Sequence, residues 1–170
     1  SDHTRRTLRR PTAVALLLSA VVVLGWAVFR GGLPADPTGV VRIAVLPFRV
    51  IGPVPIPNLS HGIVDLLSLE LDGAGNIRAV DPGAILAGAD TGHAYADRAA
   101  RNHARKLGAD RYVLGAVQGS VDRIRIRATM YHARTGEVEA ESFAEGAPEQ
   151  LLALVGRVGA ALLAGQFRTS

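Results

Sequence analysis

The feature that most constrains this chain is an uncharged run of eighteen residues, 12–29, close to its start. At a helical rise of about 1.5 Å per residue, such a run spans roughly 27 Å, close to the hydrocarbon thickness of a bilayer. Four arginines precede the run, and Arg30 is the only charge immediately after it. Because arginine favours the cytoplasmic side, we predict a basic cytoplasmic tail at 1–11 and a transmembrane helix at 12–29. The arginines of the tail are Arg5, Arg6, Arg9 and Arg10.

Two other interpretations of this run stay open, a cleaved secretory signal and a buried helix of a soluble domain. A signal has a shorter apolar part, about 7–15 residues, and ends in small residues. Here the run ends at Phe29, and Trp26 near that end suits the membrane interface. The chain begins with Ser1 rather than methionine, so we expect more protein before it.

Charge is distributed unevenly along the chain. Residues 30–39 are rich in glycine and proline and predict a linker, which leaves 40–170 as one domain with its own core. That domain holds 14 basic and 13 acidic residues, whereas the whole chain has a formal net charge of +4. We therefore expect membrane contact near the anchor and no nucleic-acid binding by 40–170. The chain has no cysteine, which excludes disulfides and thiolate metal sites.

Strand and helix patterns alternate through this domain. The apolar, β-branched residues 40–48 predict a strand buried on both faces, and three prolines in 49–57 predict a loop after it. Asn58 or Ser60 can cap a helix that ends near Leu71. Later patterns predict strands at 77–80 and 111–117, a helical turn at 81–86, a helix at 95–107 with an alanine face (Ala96, Ala99, Ala100), and a final helix from Pro148.

Between these elements, residues 121–131 and 137–141 alternate with a period of two around a turn at 133–136, which predicts an antiparallel hairpin. In an antiparallel hairpin the residue numbers of each directly paired couple add up to the same value. If this sum is even, the charged residues share one face and the apolar residues the other, whereas an odd sum sets glutamates beside isoleucines. The charged set is Arg123, Arg125, Arg127, Glu137, Glu139 and Glu141, and the apolar set is Ile124, Ile126, Met130 and Val138. We interpret the charged face as solvated and salt-bridged, with an anion-binding arginine ladder as the alternative.

The predicted order is strand, helix, strand, helix, strand, strand, strand, helix. Two right-handed βαβ units supply parallel strands, and the late hairpin adds antiparallel ones. We therefore predict an α/β fold with a mixed sheet from two βαβ units plus a C-terminal antiparallel hairpin and helix, preceded by one transmembrane helix.

No motif in the sequence indicates catalysis. The glycines of 72–76 follow a helix, whereas phosphate-binding glycines follow a strand and open a helix. None of the five histidines has a second histidine at metal-binding spacing. Ser60 and His61 are adjacent in sequence, which does not give nucleophile geometry. We predict no catalytic residue, no metal and no cofactor, and an enzyme with a site of scattered residues is the weaker hypothesis.

Five motifs occur in a fixed order: 42–48 (RIAVLPF), 62–67 (GIVDLL), 106–115 (KLGADRYVLG), 122–126 (DRIRI) and 135–137 (TGE). Together, over roughly 41–163, they resemble the TolB N-terminal-domain-like family of bacterial envelope and signalling proteins. The resemblance implies a non-catalytic interaction or sensing domain that binds a protein partner. It also implies a single pass through the inner membrane, with the N-terminus in the cytoplasm and 40–170 in the periplasm. Kinase, DNA-binding or tetratricopeptide-repeat domains often flank such domains.

The candidate partner surface consists of Arg123, Arg125, Arg127 and Phe143. Phe143 stands where the family commonly has an aromatic cluster after the hairpin. A second hypothesis stays open, a small ligand bound at the carboxyl ends of the parallel strands near Phe48 and Asp81, where open α/β sheets bind ligands.

Overall fold

The computed structural model describes residues 39–54, 56–87 and 97–166, so the predicted tail, the predicted transmembrane helix and nearly all of the linker lie outside it. Within these ranges no helix combines the length and the apolar character needed to cross a membrane. In chain order the elements are β1 (Val41–Val45), β2 (Arg49–Ile51), α1 (Leu59–Leu71), β3 (Ile77–Ala79), α2 (Pro82–Ala87), α3 (Asp97–Lys106), β4 (Arg111–Gly119), β5 (Ile124–His132), β6 (Val138–Gly146), a 3-10 turn (Pro148–Gln150) and α4 (Leu151–Gln166).

The strands form one mixed sheet with the order β3-β1-β4-β5-β6. β1 runs parallel to both neighbours, so that Ile43 lies opposite Ala79 on one side and Arg111 on the other. β4, β5 and β6 are antiparallel to one another in sequence order. The predicted α/β class, with a mixed sheet, a C-terminal hairpin and a final helix, is confirmed.

The prediction of a loop at 49–57 is wrong for its first three residues. β2 continues the path of β1 and pairs in parallel with the second half of β4, with Arg49 opposite Ala116 and Ile51 opposite Gln118. All three prolines of this segment follow Ile51, so none removes a backbone donor within β2. Gly52, with a φ of 90°, then turns the chain away from the sheet.

The main core lies between the sheet and helices α1 and α4, on what we call the inner face. The apolar residues of both helices follow a helical period and point into this core. Each such side chain contributes about 1.5–3 kcal/mol by leaving water. The buried residues include Ile43, Val113, Val117, Ile126 and Met130 from the sheet, and Ile63, Leu67, Leu71, Val155, Val158 and Leu162 from the helices.

A smaller core lies on the opposite face of the sheet, the outer face, where α2 and α3 cover β1 and the start of β4. The predicted alanine face of α3 is confirmed at Ala100, which is buried, and wrong at Ala99, which is exposed. Ala104, one turn after Ala100, completes the buried stripe. Ala96 lies outside the described residues.

The even register of the hairpin is confirmed from Ile124 opposite Gly146 through Met130 opposite Ala140. A bulge between Met130 and Tyr131 then shifts the pairing by one residue, which places Val138 opposite Tyr131. A one-residue shift moves a side chain to the other face of a sheet. The prediction that Val138 is packed is therefore wrong, and this side chain is 53% exposed.

Candidate interaction surface

The outer face of β2, β5, β6 and the second half of β4 carries largely exposed side chains, and we call this region the open face. Residues directly opposite each other on neighbouring strands point to the same face, so the open face is organised in rows. One row, which we call the arginine row, contains Arg49, Ala116, Arg127 and Phe143. The next row contains Ile51, Gln118, Arg125 and Glu145.

All four residues of the predicted partner surface lie on the open face. Arg125, Arg127 and Phe143 belong to the two rows, and Arg123 reaches the same Glu145 carboxylate as Arg125. Phe143 is 70% exposed at the edge strand β6. The alternation of arginine and isoleucine was sufficient to predict that the three arginines share a face, whereas Phe143 was included on the family resemblance.

The charge pairing on the open face differs from the prediction. Glu145 accepts hydrogen bonds from Arg123 Nη1 at 3.0 Å and from Arg125 Nε at 2.8 Å. Glu139 lies at the bulge and pairs with Arg111, Glu137 lies directly before β6, and Glu141 lies opposite Thr129. The predicted pairing with Glu137, Glu139 and Glu141 is therefore wrong, because the observed register brings Glu145 opposite Arg125.

Arg49 was missed by sequence analysis because its strand was predicted as a loop. It lies two strands from Arg127, with Ala116 between them, so the two backbones are about 9.6 Å apart. Among the described residues, neither arginine has an ion-pair partner. Both line a depression of about 240 Å³, whose other lining residues are Pro47, Asp97, Leu114, Gly115, Ala116, Thr129 and Tyr131.

Two stacked tyrosines separate this depression from the core beneath α3. The ring centroids of Tyr112 and Tyr131 are 5.1 Å apart, with 12° between the planes. Burial, followed by the Asp97 carboxylate, raises the pKa of Tyr131, while a hydrogen bond with Thr129 opposes the rise. The phenol of Tyr131 is therefore uncharged at neutral pH, and its hydroxyl can donate a hydrogen bond.

The two residues that marked the alternative ligand site have structural roles. Phe48 is buried in the inner core, and the Asp81 carboxylate accepts a hydrogen bond of 2.9 Å from the Ala84 backbone at the start of α2. The depression lies beside Phe48 in sequence, at Pro47 and Arg49, but on the outer face. Within the described ranges, no three His, Asp or Glu side chains are grouped so that they could hold a metal ion.

The arrangement of sheet and helices defines an α/β domain with an LpoB-like fold. The LpoB C-terminal domain from Salmonella enterica superposes with a TM-score of 0.52 and 14% identity, over 71% of this chain and 90% of that chain. TolB from Acinetobacter baumannii gives a TM-score of 0.49 at 11% identity, over 79% of this chain and 29% of that chain. The PelC dodecamer from Paraburkholderia phytofirmans gives 0.49 at 17% identity, over 76% of this chain and 91% of that chain.

The sequence matches no protein-family model and no curated protein. At 14% identity, the likeness to LpoB shows a shared fold alone. The TolB N-terminal-domain-like family stays a resemblance carried by the sequence motifs.

Proposed function

We propose that this chain is a non-catalytic interaction domain that binds a protein partner through the open face. In this proposal residues 12–29 anchor it in the bacterial inner membrane, and the domain from residue 40 onward lies in the periplasm. The charge pattern around 12–29 supports the anchor, and the resemblance of the motifs to envelope and signalling proteins supports the location.

The observation that carries the proposal is that the exposed Phe143 ring lies in the arginine row. Phe143 is 70% exposed and lies directly opposite Arg127 on the neighbouring strand. Aromatic residues and arginine are enriched in protein–protein interfaces, and arginine is prominent among the residues that dominate binding energy. Burying an aromatic ring removes about 150–250 Å² from water, which makes Phe143 the natural anchor of an interface.

The chemistry of these side chains favours binding over catalysis. A guanidinium stays protonated in proteins, so Arg123, Arg125 and Arg127 cannot act as general bases. They can instead donate paired hydrogen bonds to carboxylates of a partner. We therefore expect the partner to present acidic side chains around an apolar pocket for Phe143.

Site-specific photo-crosslinking in the intact chain tests this proposal. A photoreactive phenylalanine analogue at position 143 should give one discrete adduct with another protein in the native membrane. The matched control is the same analogue at Leu69, which is 74% exposed but lies on α1, on the other side of the sheet. Arg125→Asp should remove the adduct at position 143 while costing less than about 1 kcal/mol of stability, because exposed ion pairs contribute little. Equal adducts at both positions, or an adduct insensitive to Arg125→Asp, would contradict the proposal.

A further inference from the structure

The depression beside the arginine row has the features of a small binding site. Its volume of about 240 Å³ leaves room for a small acid group. We propose that this depression binds a single carboxylate or phosphate group between the side chains of Arg49 and Arg127. The inference goes beyond the partner proposal, because it uses a residue outside the predicted partner surface and concerns one acid group rather than a protein surface.

The strand register gives the two arginines converging positions. Arg49 in β2 and Arg127 in β5 both lie opposite Ala116 in β4. The alanine methyl group between them is small, which leaves the space over β4 to a ligand. A guanidinium presents several N–H donors in a planar fork that matches the oxygens of carboxylate and phosphate. Two such forks can therefore hold one acid group from opposite sides.

The electrostatics of the depression favour an anion. Arg123 and Arg125 share the Glu145 carboxylate, whereas Arg49 and Arg127 have no ion-pair partner among the described residues. Among the described residues of the lining Asp97 is the single acidic one, so these residues together carry a net positive charge. A ligand that carries a hydrogen-bond donor next to its acid group would satisfy Asp97 as well.

Uncharged groups complete the site. Thr129 and Tyr131 line the depression, and their side chains are hydrogen-bonded to each other. A hydroxyl can donate one hydrogen bond and accept another, so this pair can also interact with a ligand. Leu114 supplies an apolar part of the lining. A few polar groups on a partly apolar surface are typical of small-ligand sites. The acid group has two sources with the same chemistry, a free small anion or an acidic side chain of a protein partner.

Calorimetric titration of the full chain, held in an uncharged detergent at low salt, tests the site. The probes are inorganic phosphate, succinate and an N-acetylated tetraglutamate peptide. We expect at least one of them to bind with a Kd of about 1 mM or tighter. Arg49→Gln and Arg127→Gln should each weaken that binding by about tenfold or more, since each removes a charged hydrogen-bonding group. The matched control Arg134→Gln, an exposed arginine in the hairpin turn, should leave it unchanged.

A variant that keeps both arginines tests whether the probe binds in the depression or is attracted to any exposed arginine. Ala116→Leu should fill the space over β4 and abolish binding of the same probe, with the fold checked by its circular dichroism spectrum. Arg125→Asp, which tests the partner proposal, should retain binding of phosphate or succinate, so the two proposals can fail separately.

The three probes also distinguish the two sources of the acid group. Binding of phosphate or succinate at least as tight as that of the peptide assigns a free small anion, and binding of the peptide alone assigns an acidic partner segment. Either result supports the site. The inference is overturned if none of the three binds at about 10 mM. It is also overturned if Arg49→Gln and Arg127→Gln bind the probe as tightly as the natural chain does.

Discussion

At the residue scale, the contact between Phe48 and Gly115 fixes the corner that joins β1 to β2. The Phe48 ring is 2% exposed and lies directly over Gly115 in β4, where a Cβ atom would overlap it. The Phe48 carbonyl accepts a hydrogen bond of 2.6 Å from the Ser60 hydroxyl at the start of α1. Ser60, predicted as a helix cap, therefore holds this corner instead. Asn58 occupies the cap position in a left-handed conformation, without a side-chain capping bond.

The first prediction concerns this glycine. Gly115→Ala should destabilise the domain by about 1–3 kcal/mol, because the added methyl group forces the Phe48 ring out of its packed position. Gly62→Ala is the matched control, since Gly62 lies in α1 and has open space where an added methyl group would stand. That change should stabilise the domain by about 0.5–1 kcal/mol, because alanine favours a helix. Urea unfolding measures both, and an unchanged midpoint for Gly115→Ala would show that the ring can move aside.

At the element scale, the hairpin of β5 and β6 carries most of the open face, and Glu145 pairs with two arginines at the end away from the turn. The hydrogen bond from Arg125, the largest cause, lowers the pKa of Glu145 below its ordinary value of 4.5, and the charges of Arg125 and Arg123 lower it further. The unfolded chain lacks these partners. The folded state is therefore favoured by the ionised carboxylate, and this contribution is present above pH 4.5 and is lost as the pH falls through the lower folded value.

The second prediction follows from this pKa shift. Glu145→Gln should lower the melting temperature at neutral pH, because Arg123 and Arg125 lose their shared carboxylate. The difference in melting temperature between this variant and the natural chain should shrink as the pH falls below 4.5, where the carboxylate is progressively protonated. Glu149→Gln, an exposed glutamate in the 3-10 turn, is the control and should show little difference at any pH. A melting-temperature difference for Glu145→Gln that grows on acidification would contradict this prediction.

The hairpin also shows what the sequence could predict. The alternation of Arg123, Arg125 and Arg127 with isoleucines determines which side chains face the core, because only one parity keeps glutamates out of it. It does not determine which even pairing sum is adopted, and so it missed the pairing of Glu145. The bulge after Met130 moves Val138 to the other face and takes Glu139 out of the regular pairing, and no residue pattern indicates it.

The arginine row was beyond sequence reasoning for a related reason. β2 has three residues, too few for a period of two to be recognised, and its pairing with β4 depends on the corner at Phe48. The sequence therefore does not indicate which residues lie beside Arg49 in the sheet. The row depends on contacts between strands β2, β4 and β5, of which β2 is distant in sequence from the others, whereas the three predicted arginines follow one another along one segment.

At the scale of the whole molecule, the two faces of the sheet have different environments. Helices α1 and α4 cover the inner face, while the open face presents Arg125, with its side chain 54% exposed, and Phe143, which is 70% exposed. The proposed anchor at 12–29 would keep this surface outside the cytoplasm, where it is available to envelope partners.

The third prediction concerns that orientation. Alkaline phosphatase fused after Gly39 should be active in a Gram-negative host, because this enzyme matures only outside the cytoplasm. Neutral replacement of Arg5, Arg6, Arg9 and Arg10 should weaken the orientation, since these arginines favour the cytoplasmic side. The control is β-galactosidase at the same junction, which should be inactive. An inactive phosphatase together with an active β-galactosidase would reverse the assignment.

The position of β1 determines how the domain responds to mechanical load. The described chain enters the sheet at Val41, and β1 is hydrogen-bonded to a parallel strand on each side. A pull on residue 39 along the axis of β1 would load both ladders in shear, whereas β6, with one neighbouring strand, can be peeled from its edge. In the proposed topology, the chain from the membrane anchor therefore joins the domain at a strand that is paired on both sides.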